Sequence, residues 1–333
     1  MSGSPLSRLP TAPHDAERVE RFLLETVKIE GDDYLTEIAS HLIKAGGKRQ
    51  RPLLTAAAAA TGLPDGVPVS DDVIRGGVAV ELVQVGSLYH DDVMDEAQIR
   101  RQVSSVNARW GNLRAILAGD FLLAKASEIA ASLGTEVAGL LATTIGELCK
   151  GQVAELQTLY DLERTEQQYF PSIAGKTASL FAAATRIGGI VGGFDRPVID
   201  RLTEFGRHYG MAFQVIDDIL DVVATDEQLG KPAGKDMLEG VYSLPVIHTL
   251  ATSEQGPQLK ELLDGGLKSD DRLDAIAIVR DGPGVDSAYA VAEGFVAEAR
   301  AQLDGVSANA AAEAMADTAQ HLLDSVRELR PTG

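Results

Sequence analysis

Asp91, Asp92, Asp95 and Glu96 place four carboxylates in six consecutive positions of "HDDVMDEAQIRR", and two arginines, Arg100 and Arg101, close the stretch. On a helix Asp91 and Asp95 share a face one turn apart, with Asp92 about 100° round. Like charges so spaced destabilise a helix by roughly 0.2–0.5 kcal/mol per pair, and a merely solvated face would intersperse lysines. The pattern returns downstream in "FQVIDDILD" as Asp217, Asp218 and Asp221, with Gln214 on the same stripe. Both occurrences have apolar neighbours, "VGSLYH" before the first and "MAFQVI" before the second, so the carboxylates are partly sheltered. Two unit charges 4 Å apart interact by about 4 kcal/mol at an effective dielectric near 20, and six such carboxylates together need cations. Hard oxygen ligands with no His or Cys beside them favour Mg²⁺, which binds through a few carboxylates, waters and substrate phosphates. A diphosphate is the natural bridging ligand.

The rest of the chain is acidic, with 49 Asp+Glu against 30 Lys+Arg and a formal net charge of -19. Such a surface repels nucleic-acid phosphates and anionic lipid, so nucleic acid is not an expected partner. A phosphate-bearing ligand must then meet local cations. "AGGKRQRP" supplies Lys48, Arg49 and Arg51 before a helix expected to start at Pro52, where a helix N-terminus already attracts anions. "IAGKTASL" supplies Lys176 and Thr177, and "LGKPAGKD" supplies Lys231 and Lys235. The latter is not a phosphate-binding P-loop, because it lacks GxxxxGK[ST] and follows a helix. Arg49 and Lys235 read equally well as solvated surface.

No HExxH or CxxC spacing supports zinc. The single cysteine, Cys149, is expected to be a small core residue. No apolar run approaches the roughly 18 residues of a membrane span, and the first twenty residues carry no signal-peptide core. The expectation is a cytoplasmic protein without a transmembrane segment.

The elements that must position these side chains are helices. Apolar residues recur at three- and four-residue spacing, and strand-like alternation is nearly absent, so the chain reads as all-α. Glycine and proline punctuation near 45–52, 62–68, 192–197, 229–236 and 280–284 divides it into about ten or more helices. With no linker in view, residues 1–333 read as a single domain with a flexible segment over 1–20. One long helix is predicted from about 71, with Ile74, Val78, Leu82, Val85 and Tyr89 at helical spacing and Gly76, Gly77 and Gly86 inside it. Each internal glycine costs roughly 1 kcal/mol against alanine, which implies close packing or space left on one face. The segments after 250 read as amphipathic packing helices.

In order, "GGKRQRP", "HDDVMDEAQIRR", "SVNARWGN" with "LAGDFLLAKAS", "GKTASL" and "FQVIDDILD…GKPAGKD" resemble the trans-isoprenyl diphosphate synthases, the polyprenyl synthetase family, over about residues 35–250. The resemblance implies an all-α isoprenoid synthase fold with a deep central cavity, usually a homodimer, and both aspartate-rich motifs facing each other at the cavity mouth. It implies Asp91, Asp95 and Asp217 as the main Mg²⁺ ligands, three ions in all with substrate bound, supported by Asp92, Asp218 and Asp221. Arg100, Lys176, Lys231 and Gln214 are implied as contacts to an allylic diphosphate, with Thr177 beside Lys176. Lys48, Arg51, Gln84 and Arg101 match the isopentenyl diphosphate pocket, and Phe213 its alkenyl tail. Gln102 and Ser104 stand where the family would have Gly and Pro, and Lys235 replaces a small polar residue.

The resemblance also implies a prenyl transfer in which a diphosphate leaves, an allylic cation is attacked by isopentenyl diphosphate, and the released diphosphate takes the proton. Gly86 and Ser87, just before the first motif, are small where short-chain members carry bulky aromatics. A long product of roughly thirty to fifty carbons, as for a quinone tail, is therefore expected, since little apolar volume is filled there. Transient membrane contact for product release fits such a product. A class I terpene cyclase would carry Asn, Ser/Thr and Glu in its second motif and would not need Lys48 and Arg51. A non-catalytic subunit of a heteromeric synthase could dispense with acidic ligands that are complete here.

Overall fold

In a computed structural model of the chain, which describes residues 4–229, 232–306 and 308–329, the helical period becomes helix over 77% of the protein. The α-helices are α1 (Ala12–Val27), α2 (Asp33–Lys44), α3 (Gln50–Ala60), α4 (Asp71–Met94), α5 (Val106–Trp110), α6 (Asn112–Ser132), α7 (Thr135–Leu156), α8 (Glu166–Ile173) and α9 (Ser179–Val191). They continue with α10 (Arg196–Val223), α11 (Asp226–Leu229), α12 (Lys235–Leu238), α13 (Leu244–Thr252), α14 (Gly256–Leu263), α15 (Arg272–Asp281), α16 (Pro283–Leu303) and α17 (Ala310–Leu329). A helix ends at or near each glycine- or proline-marked break. The helix after "AGGK" begins at Gln50, so Pro52 sits in its third position rather than its first. Between α4 and α5, β1 (Ile99–Arg100) and β2 (Val103–Ser104) pair antiparallel, the one strand pair among the described residues.

By contacts the chain divides into two units, each discontinuous in sequence. The first comprises Met1–Ile145, Leu180–Thr203 and Leu303–Met315, and the second Gly146–Ser179, Glu204–Gln302 and Ala316–Gly333.

In the first unit α4 is enclosed by α1, α3 and α6. Ser70 caps its N-terminus by accepting from the Val73 N–H, and Ile74, Val78, Leu82, Val85 and Tyr89 are all buried. Residues on the other faces are buried as well, which is the pattern of a helix inside a protein rather than on its surface. The internal glycines permit this: a Cβ at Gly77 would lie 2.9 Å from Pro52 Cα, and one at Gly86 would lie 3.1 Å from the Gly119 carbonyl oxygen on α6.

Residues 4–20 are not the loose terminus expected. Pro5–Arg8 form a 3₁₀ turn, Leu6 is buried, and Arg18 ties α1 to the start of α4 through Asp15, Asp71 and the Val69 carbonyl.

The second unit is built around Tyr169, Tyr209, Tyr242 and Phe205, all fully enclosed. Buried Arg164 donates to the Tyr242 carbonyl at 2.9 Å and to Ser172 Oγ at 3.0 Å. Between α8 and α9 the chain takes one π-helical stretch, Ala174–Ala178. Cys149, on α7, is exposed rather than a core residue.

Candidate active site

In the first unit the first acidic motif occupies the last turn of α4, and the helix ends inside it. Asp95 is the C-cap, its N–H bonding the Asp91 carbonyl at 2.8 Å, and Glu96 follows with φ 50°. The Ala97 N–H then closes back on the Asp92 carbonyl at 2.9 Å, a left-handed termination of the Schellman kind. The negative end of a helix dipole favours cations. Here the last turn carries no basic residue and several carboxylates. Asp91 is half-buried, Asp95 exposed, and Asp92 fully buried. Asp92 accepts from Arg100 Nε at 2.7 Å and Nη2 at 2.6 Å.

The hairpin after the motif aims the two arginines apart. Arg101 and Gln102 both have positive φ, 51° and 63°, as a two-residue hairpin turn requires. Arg101 Nη1 donates to the carbonyls of Leu42 and Gly46, at 2.8 and 2.5 Å, beside the basic loop between α2 and α3. In that loop Lys48 is exposed, while Arg51 is half-buried with its guanidinium 4.2 Å above the Phe181 ring. Arg49 has φ 47° and is only 5% exposed. It bonds Glu20 at 2.6 Å, Glu81 at 3.1 Å and the Ile43 carbonyl at 2.8 Å. Arg49 is thus a buried strut, and the reading as solvated surface is corrected. Its acidic neighbours raise its pKa against the opposing effect of burial.

Gln84 is half-buried on α4, and its carbonyl accepts from Ser87 Oγ at 2.9 Å. Gly86 is filled from outside: the added Cβ would meet the Leu123 side chain at 3.4 Å as well as the Gly119 backbone. Its smallness is therefore accounted for by the approach of α4 to α6, and Ser87, half-buried, is left to carry the argument about open volume.

In the second unit the second motif lies on α10, with Asp217 exposed and Asp218 and Asp221 buried. Asp218 is a hub. It accepts from the Tyr169 hydroxyl at 2.6 Å and from Gln214 Nε2 at 2.8 Å, and Thr177 Oγ1 donates in turn to Gln214 Oε1 at 2.7 Å. Burial pushes the Asp218 carboxyl up to about 7, opposed by those two donors, and burial likewise holds the Tyr169 phenol well above its usual range. Asp221 accepts from the Asp236 N–H at 3.3 Å through its side chain and from the Gly234 N–H at 2.7 Å through its carbonyl, which ties down the segment before α12.

Lys176 lies in the π-helical stretch and meets Glu155 of α7 at 2.5 Å. That approach needs the glycines, since a Cβ at Gly175 would lie 2.6 Å from the Glu147 carbonyl oxygen and one at Gly151 2.7 Å from that of Ser172. Phe213 is half-buried, with its ring 6.3 Å from that of Tyr209. Lys235 pairs with Glu239 at 2.9 Å, which occupies the extra charge noted in the sequence. Lys231 lies outside the described residues.

Glu81, Glu155, Arg164 and Tyr169 had no place in the sequence reading. Glu81 left a signal there, as the lone acid in "VAVELVQVG". Tyr169 and Glu155 left none until the π-helical stretch is known.

Each motif, taken by itself, offers hard oxygens of the kind Mg²⁺ takes: in the first unit half-buried Asp91 and exposed Asp95 with Asp92 held by Arg100, and in the second exposed Asp217 with Asp218 and Asp221 held by protein donors. Among the described residues no three or more His, Cys, Asp or Glu side chains form a ready-made ion cage. Mg²⁺ needs none, because it takes most of its oxygens from waters and substrate phosphate.

A family model for polyprenyl synthetase matches residues 32–279. The chain belongs to this family. It is 40% identical over 291 residues to the nonaprenyl diphosphate synthase of Mycobacterium tuberculosis, covering 86% of this chain and 85% of that protein. The crystal structure of a decaprenyl diphosphate synthase from Rhodobacter capsulatus superposes with TM-score 0.87 at 31% identity, covering 97% of this chain and 99% of that one. A geranylgeranyl pyrophosphate synthase from Corynebacterium glutamicum, solved with calcium and isoprenyl diphosphate, superposes with TM-score 0.81 at 36% identity, covering 94% and 96%. Polyprenyl synthetases are prenyltransferases, and the all-α fold is theirs.

Proposed function

We propose that the protein condenses isopentenyl diphosphate with an allylic diphosphate in a Mg²⁺-dependent reaction and makes an all-trans polyprenyl diphosphate of roughly thirty to fifty carbons, a reading supported by the small side chain of Ser87 and by the 40% identity to a nonaprenyl diphosphate synthase. The observation that carries the reading is the acidic, base-free last turn of α4 with Arg100 locked on Asp92 beside it. Asp91 and Asp95 of the first unit and Asp217 of the second are the residues that would hold Mg²⁺, which would supply positive charge to a departing diphosphate. Arg100 and Lys176 draw the same leaving group, and Lys231 is assigned to it by sequence alone. As the carbon–oxygen bond breaks, the Gln214 amide and Thr177 hydroxyl, already oriented by Asp218, present fixed dipoles to the allylic cation. The double bond of isopentenyl diphosphate attacks that cation to form the new carbon–carbon bond. The released diphosphate takes the proton lost in restoring a double bond. Lys48, Arg51, Gln84 and Arg101 bind the second diphosphate, and Phe213 lies along its alkenyl tail.

We assign the protein to the cytoplasm as a homodimer. No described helix is long and apolar enough to cross a membrane. Leu113, Ile116 and Leu117 expose an apolar row on α6, 71%, 41% and 57% accessible, which suits a second copy and is checked by light scattering.

The similarity to a geranylgeranyl synthase favours a second reading, a short-chain product. The test is incubation of the purified chain with Mg²⁺, labelled isopentenyl diphosphate and an allylic primer, with products dephosphorylated and resolved by length. Products of about thirty carbons or more, abolished by chelation, are expected if the volume beside Ser87 is open. Products ending near fifteen or twenty carbons favour the second reading, in which that volume is closed. No incorporation beside a working authentic synthase would make the chain a subunit that needs a partner.

A further inference from the structure

Glu81 is a buried carboxylate, 3% exposed in the middle of α4 among Val78, Leu82 and Val85. Its Oε1 stands 3.1 Å from Arg49 Nη1 and 3.7 Å from Arg101 Nη2, so one oxygen faces two guanidiniums. Those arginines belong to separate segments, the loop between α2 and α3 and the turn of the hairpin, and both hold left-handed backbone, φ 47° and 51°. Arg101 also bonds the Leu42 and Gly46 carbonyls, and Arg49 the Ile43 carbonyl. A Cβ at Gly47 would lie 3.1 Å from the Arg101 guanidinium carbon, so the two segments touch directly.

Two guanidiniums brought this close repel each other. A buried acid between them removes the repulsion and fixes both planes. Glu20 differs, because among the described residues it bonds only Arg49 and its side chain is 45% exposed.

We infer that Glu81 is a positioning residue: it clamps Arg49 and Arg101 together, so that Lys48, Arg51 and Arg101 present one preset surface to the diphosphate of isopentenyl diphosphate. The inference rests on the assignment of that pocket under Proposed function. It makes Glu81 a determinant of affinity for one substrate only, although it touches neither. Loss of its charge frees Arg101 to turn from the loop, so the diphosphate must organise the pocket as it binds.

The test measures steady-state kinetics of Glu81→Gln, Glu81→Asp, Glu20→Gln and Arg101→Ala, varying each substrate separately, with thermal unfolding of each variant. Glu81→Gln is expected to raise KM for isopentenyl diphosphate about tenfold or more, leaving KM for the allylic diphosphate within about twofold, and Glu81→Asp to recover part of the loss. Glu20→Gln is expected to lower thermal stability without moving either KM. If Arg101→Ala raises KM for isopentenyl diphosphate and Glu81→Gln does not, the clamp is wrong and the pocket stands. If Arg101→Ala leaves that KM unchanged, the pocket assignment itself fails. Equal rises in both KM values for Glu81→Gln reduce Glu81 to a structural residue. Should Glu81→Gln not fold, Glu81→Asp decides, and an unchanged KM for isopentenyl diphosphate in it overturns the inference.

Discussion

Arg100 and Asp92 form an ion pair in which the acid is fully enclosed and the base is not: the carboxylate is 0% exposed, the guanidinium 28%, with Nη2 to Oδ1 at 2.6 Å. The acid therefore orients a cation whose side chain stays partly open to solvent.

This predicts different outcomes for two substitutions. Arg100→Lys keeps the charge but loses the fork that can bond Asp92 and a phosphate together, and KM for the allylic diphosphate should rise about tenfold with little change in melting temperature. Arg100→Met strands a buried carboxylate and should cost about 3–5 kcal/mol in denaturant unfolding. An unchanged KM in the lysine variant would show that Arg100 serves Asp92 and not the substrate.

Tyr169→Phe removes the hydroxyl that donates to Asp218 at 2.6 Å and leaves one buried oxygen unserved. Stability should fall by about 1–3 kcal/mol. Because Gln214 and Thr177 are bonded in series behind Asp218, kcat should fall as well, by about tenfold, with KM for isopentenyl diphosphate unmoved. A stability loss with kcat intact would confine Tyr169 to the core.

Gly86 and Ser87 separate in the same way. Gly86→Ala meets the Gly119 carbonyl oxygen and should destabilise the protein by about 1–3 kcal/mol. Ser87→Phe should instead shorten the product towards about fifteen to twenty carbons by filling apolar volume. Product lengths identical to the parent's would place the limit elsewhere.

Gln102 holds φ 63°, a conformation in which a side chain costs about 1 kcal/mol relative to glycine. Gln102→Gly should therefore raise stability by about 0.5–1 kcal/mol, measured by urea unfolding. A loss of stability would mean that the side chain supports the hairpin in some other way.

How much of this was legible in the sequence depended on whether the signal was periodic. The helix from 71, its buried face and the acidic turn at its end follow from three- and four-residue spacing, and α4 has them. The hairpin at 99–104 escaped notice because four paired residues cannot show alternation, and its turn carries Arg101 and Gln102 instead of glycine. Arg49 beside Lys48 looked no different from other loop cations, since its partners Glu20 and Glu81 come from distant parts of the chain. Tyr169 was silent for another reason: its link to Asp218 spans 49 residues and is set by tertiary packing. Residue types that bind ligands were readable, whereas the residues that hold them in place were mostly not.

The π-helical stretch at Ala174–Ala178 makes chain length itself a functional variable. Such a stretch holds one more residue than an α-turn over the same span. Deleting Ala174, Gly175 or Ala178 would let it close to α-helix with the turns on either side kept in register, so that only the residues within the stretch would be re-aimed. Thr177 would then point away from Gln214 and Lys176 away from Glu155, though no side chain in the network had been altered. A segment with no strained loop and no exposed tip is therefore intolerant of insertions and deletions, and such a single-codon deletion should abolish activity in a protein that still folds.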